Sequence, residues 1–142
     1  MVDILLQSVL PLIASTTNWN LQVAPNLIEG VPGDAQEVTD TTPSIYVQHA
    51  ATDPDTEHEY GTRHFWRATF NIWCAARSVR MCTSLKADVC RALYQAENAW
   101  SAFAETPMYP GSFAIRDDLS TGGIFMGLQV AIIEFSTDHA TP

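Results

Sequence analysis

Positive charge is scarce in this sequence. Of its 142 residues seven are Lys or Arg against sixteen Asp or Glu, and Lys86 is the sole lysine. The formal charge of −9 argues against a protein that grips nucleic acid through a general electrostatic field. A patch of Arg63, Arg67, Arg77 and Arg80 with Trp66 and Trp73 has the residue types for stacking and phosphate contacts. The net charge and an inward face expected for Trp66 weigh against it. Cysteine is scarce too. Cys74, Cys82 and Cys90 are odd in number and none forms a CxxC, so no structural zinc site is expected. Free buried thiols in a reducing cytoplasm are the expectation for Cys74 and Cys82. No apolar run approaches a membrane span. The segment MVDILLQSVLPLIAS lacks the basic region of a secretory signal and carries Asp3, so a soluble protein made in the cytoplasm is expected.

Signatures of chemistry are missing as well. GxSxG, GxxxxGK[ST] and GxGxxG do not occur, which removes the common nucleophile-elbow and phosphate-loop readings. The stretch HAATDPDTEHEYGTRHFW crowds four carboxylates and two histidines into residues 49–59. Its Asp53-x-Asp55-x-Glu57 resembles the start of an EF-hand loop. That loop needs Gly at its sixth position and Glu at its twelfth, where this chain has His58 and His64, and Pro54 sits at the bend. His58-Glu59 opens no HExxH, because Thr62 stands where the second His belongs. Cys82, near Arg80, falls on a buried stripe, and Asp117-Asp118 are strand neighbours that point apart. No metal, cofactor or catalytic residue is therefore assigned, and the chain is read as not an enzyme.

What is present describes one globular domain, residues 1–142, with 46% apolar and 16% charged residues. Charge is segregated along it. Residues 1–62 hold nine acids and no base, and all seven bases lie between Arg63 and Arg116. Acidic and basic surfaces held apart suit head-to-tail association of like subunits, or stacking on a partner of opposite charge.

Periodicity gives the elements. Val2, Leu5, Leu6, Val9 and Leu12/Ile13 recur at helical spacing after Asp3, and Pro11 kinks that helix or ends it near Leu10. Residues 14–43 are irregular, with a short strand at Leu21–Val23 or Asn26–Glu29 and an edge hairpin. Ser44–His49 reads as a strand, 50–60 as a mobile acidic tip, and Gly61 as a turn. Arg63–Ala75 alternates cleanly, with Trp66, Ala68, Phe70, Ile72 and Cys74 inward. Its length implies half of a long projecting hairpin. Residues 79–100 form a helix with Cys82, Leu85, Val89, Leu93, Ala96 and Trp100 on one stripe. Strands follow at Phe113–Asp117 and Ile124–Phe135, and the tail 136–142 is expected to fray. The sum is α+β: a mostly antiparallel sheet with helices on one face.

Trp73 falls on the polar side of its strand with Arg67 and Asn71. Another segment covers it, or it is exposed for a partner; the partner is favoured because tryptophans anchor interfaces. Strand 124–135 is apolar on both faces, so Phe125 and Ile133 are expected to meet a neighbouring subunit.

The sequence of an N-terminal amphipathic helix, TTPSIYVQHA, EYGTRH, FWRATFNIWCAA, SVRMCTSLKADVCRALY and GGIFMGLQVAIIEF resembles the tail-terminator proteins of long-tailed bacteriophages, the tail-completion or head-to-tail joining family. The likeness covers most of residues 1–136 and is one of layout and hydrophobic pattern. Residues 14–43, with Trp19, fall outside it. It implies a virion protein, assembled in the host cytoplasm, that forms a hexameric ring. The ring caps the tail tube, stops its polymerisation and docks the neck or head-completion protein. No catalytic residues come with the family, and DNA only passes through the channel. Arg63, Arg67, Trp73, Arg77, Phe125 and Ile133 then become candidates for subunit or partner contacts. Asp53, Asp55, Glu57 and Glu59 become candidates for a channel lining that does not grip phosphate. Another neck, tail-tube or minor tail protein is the alternative, and a small acidic ligand-binding domain or enzyme a more remote one.

Overall fold

The computed structural model describes residues 5–15, 19–32, 37–60, 63–95, 113–116, 123–125 and 128–140. Within them, side chains are described outside Ser15 and residues 52–67, 113–116, 123–125 and 137–140. The fold is α+β. Strands β1 (Asn26–Glu29), β2 (Ser44–Tyr60), β3 (Arg63–Ala76), β4 (Phe113–Arg116), β5 (Gly123–Phe125) and β6 (Leu128–Ala140) make one sheet. Its order is β1-β2-β3-β6-β4, with β5 also on β6. Helices α1 (Leu12–Ser15) and α2 (Val79–Gln95) and a π-helical turn at Leu5–Val9 complete the fold.

The expected alternation of β3 is observed from Ala68 onward; the side chain of Trp66 lies outside the described residues. Ala68, Phe70, Ile72 and Cys74 are buried, in one core with Ile45 and Val47 of β2 and Ala131, Ile133 and Phe135 of β6. The apolar stripe of α2, here Cys82, Leu85, Val89, Ala92 and Leu93, closes this core together with Leu5, Val9, Leu10 and Ile13. All helical segments therefore lie on one face of the sheet. The expected continuation of α2 over 96–100 lies outside the described residues.

The N-terminal helix breaks at Pro11, as expected, but its segment before the proline is π-helical and not α-helical. Leu10 N–H donates to the Leu5 carbonyl, five residues back, at 2.9 Å. Pro11 has no N–H and its ring would press on the carbonyl four residues back, so a regular helix cannot continue through it. The widened turn adds one residue before the proline. Leu5, Val9 and Ile13 of the expected stripe are buried; Leu10 is buried with them, and Leu12 is exposed.

Four further expectations are corrected. The segment Asn26–Glu29 is a strand, but it pairs parallel with β2, Asn26 opposite Ser44, and so forms a crossover and not an edge hairpin. The acidic stretch is strand and not a tip: β2 continues to Tyr60, whose register partner is Arg63. Carboxylates and proline are poor strand formers, and partnering by β3 overrides that local preference. The C-terminal strand is split, with β5 folding back on β6 so that Phe125 pairs Leu128. β6 then runs through the segment expected to fray, pairing Thr137 with Ala68 and Ala140 with Phe65.

Candidate assembly surface

The sheet face away from the helices is built in cross-strand rows. Ile28, Tyr46, Trp73 and Ile132 are successive register partners across β1, β2, β3 and β6. Ser44, Ala75 and Val130 form the adjacent row. Val38, Tyr46, Ala75, Leu128 and Val130 are buried together, with Ile28, Trp73 and Ile132 half-buried against them. On the other side of the apolar row stand Gln48, Asn71 and Glu134, again register partners. Asn71 Nδ2 donates to Gln48 Oε1 at 3.5 Å. The face thus offers an apolar patch bordered by a polar row, the composition of an interface with a dry centre.

One segment of the chain lies over part of this patch. The Tyr46 hydroxyl donates a hydrogen bond to Glu37 Oε1. Arg77 Nε donates to the Val38 carbonyl at 3.1 Å, and Asn26 Nδ2 donates to the Glu37 carbonyl at 2.9 Å. These bonds hold Val38 down on the sheet. The Tyr46 hydroxyl, and then Glu37's own main-chain N–H, hold the Glu37 carboxyl below its ordinary range; burial opposes them.

The sequence-derived candidates divide accordingly. Trp73 is on the expected face and half-buried, so intrachain packing against Tyr46 and Ala75 takes part of its ring. Arg77 is exposed, yet its Nε serves a bond within the chain. Ile133 is a correction: it is 0% exposed, in the core beneath the helices. It is not on a surface that could meet a neighbouring subunit; alternation along β6 puts Ile132 on the face away from the helices. The side chains of Arg63, Arg67, Phe125, Asp53, Asp55, Glu57 and Glu59 lie outside the described residues. Their backbones place Asp53 opposite Arg67, and Arg67 opposite Asp138.

A bulge sets that register. Phe70 pairs His49 and Thr69 pairs Ala51, leaving Ala50 as an extra residue in β2. Beyond it, Ala51, Asp53 and Asp55 occupy the rows that even-numbered residues occupied before it. A second irregularity falls between Asp55 and Tyr60.

The residue that sequence reasoning missed is Asp88. It is fully buried on α2. Its Oδ1 accepts from Asn20 N at 3.0 Å and from Asn20 Nδ2 at 3.1 Å, and its Oδ2 accepts from Leu21 N at 2.7 Å. Beside it, the Arg91 guanidinium lies 4.9 Å from the centroid of the buried Trp19 ring. This set fixes an irregular segment on the helix. Cys74 and Cys82 are buried free thiols, and Cys82 Sγ donates to the Cys74 carbonyl at 3.5 Å. Burial raises both thiols above their ordinary range. Among the described residues no three His, Cys, Asp or Glu are grouped to hold a metal ion. No described helix is long and apolar enough to cross a membrane. No protein-family model matches the sequence, and no curated protein matches it either.

Proposed function

We propose that this chain is a structural virion protein of a long-tailed bacteriophage, a tail terminator that works by ring assembly. Copies of the chain form a hexameric ring on the end of the tail tube, stop its polymerisation and present a surface to the neck or head-completion protein. DNA passes through the ring without specific binding. The observation that carries this reading is the half-buried row of Ile28, Trp73 and Ile132 on the face opposite the helices. An α+β sheet of this size needs one covered face; a second apolar face is surface for a neighbour.

Size-exclusion chromatography with light scattering, and negative-stain microscopy with purified tail tubes, test the reading. Rings in solution or caps on tube ends are expected. A strict monomer that leaves tube ends bare overturns it. Open-ended filaments formed by the protein alone would instead mark a tail-tube subunit.

A further inference from the structure

The outer face of α2 is the positive counterpart of the acidic strand. Arg80, Thr83, Ala87 and Arg91 are exposed along it, and Val79 and Tyr94 at its two ends are 64% and 59% exposed. The helix holds Arg80, Lys86 and Arg91 against one acid, Asp88, which is buried and bonded to Asn20 and Leu21. In a protein of formal charge −9, the charged side chains exposed on α2, Arg80 and Arg91, are thus both basic. Electrostatic complementarity of this kind selects an acidic partner and fixes its register.

β2 supplies such a partner. Residues 53–59 carry Asp53, Asp55, Glu57 and Glu59 at every second position. β1 pairs only with Ser44–Val47, so past Val47 no described strand lies on the outer side of β2. Pro54 and the run of charge suit an edge that resists strand addition, which leaves charge contact as its mode of association.

We infer that the acidic half of β2 in one copy docks on the outer face of α2 in the next, as the head-to-tail contact between subunits. This rests on the self-assembly reading above. Because the two surfaces differ, the contact is heterologous and propagates around a ring.

Charge variants test it. R80E/A87E makes the helix face acidic at two exposed positions, and E57K/E59K makes the strand basic. Thermal unfolding first checks that each remains folded. By analytical ultracentrifugation, each alone is expected to associate at least about tenfold more weakly than wild type. Mixed together they are expected to associate again, since each then offers the complement the other needs. Wild-type association should also weaken from about 50 mM to about 500 mM salt, a measurement that does not depend on the variants folding. Salt-insensitive wild-type assembly, or R80E/A87E assembling like wild type, overturns this contact and leaves the ring reading standing. A wild type that associates neither with itself nor on tail tubes overturns both.

Discussion

Asp88 on α2 is hydrogen-bonded through Oδ2 to the main-chain N–H of Leu21 at 2.7 Å, across 67 residues of sequence. A buried carboxylate that accepts main-chain N–H groups satisfies both its own charge and the orphan donors of an irregular segment. Asp88→Ala is expected to lower stability by about 2–4 kcal/mol, because it also strands two amides. Asp88→Asn keeps one acceptor but turns a second donor toward the amides, so its loss should be intermediate. Urea unfolding followed by tryptophan fluorescence measures both, and wild-type stability in Asp88→Ala would contradict the anchor.

The Glu37–Tyr46 bond makes stability depend on acid. A carboxyl held below its ordinary value contributes stability above the unfolded-state pKa, about 4.3 for Glu. That contribution is lost as pH falls through the lower folded-state value. Tyr46→Phe removes the main cause of the shift. Its stability should fall less steeply than wild type's below about pH 4.3, as read from unfolding midpoints at several pH values. Parallel profiles would show that the bond does not form in solution.

Neighbouring isoleucines on β6 should respond differently. Ile133→Ala opens a cavity in the helix-covered core and is expected to cost about 2–4 kcal/mol. Ile132→Ala, half-buried on the other face, should cost about half as much, and its larger effect should appear in assembly. Paired unfolding and light-scattering measurements separate the two. Equal stability losses with unaltered association would refute the assignment of faces.

The thiols give an independent check on burial. Cys74 and Cys82 are buried with raised pKa values, while Cys90 is half-buried. In the native protein Cys90 should be alkylated first, with the other two labelled only after unfolding. Mass spectrometry of peptides after timed labelling reads the order, and early modification of Cys74 would count against the packing described.

The strongest periodic signals in the sequence correspond to the elements that form the helix-covered core. The alternation of Ala68, Phe70, Ile72 and Cys74 and the stripe of Cys82, Leu85, Val89 and Leu93 each lie within one element, where spacing alone gives the buried face. What was illegible depends on partners distant in sequence. The acidic strand reads as a loop because nothing local favours extension there; β3 and its register supply that. The C-terminal tail reads as frayed because its pairing with Phe65–Ala68 is invisible in its own composition. Asp88 reads as one polar residue on a helix flank, since its partners Asn20 and Leu21 lie in a stretch without periodicity. The candidate face is half legible: alternation puts Trp73 on it, whereas a strand apolar on both faces gives no sign of which one the helices cover, and Ile133 is on the covered one.

Ala50 is the one residue by which β2 outruns β3 between two neighbouring pairs, His49 with Phe70 and Ala51 with Thr69. If that residue were removed, His49 and Ala51 would follow one another in regular pairing, and Ala51, Asp53 and Asp55 would keep Thr69, Arg67 and Phe65 as partners. What the extra residue contributes is shape: a bulge bends its strand and raises the local twist. A homologue lacking it would keep the same pairs along a straighter ribbon.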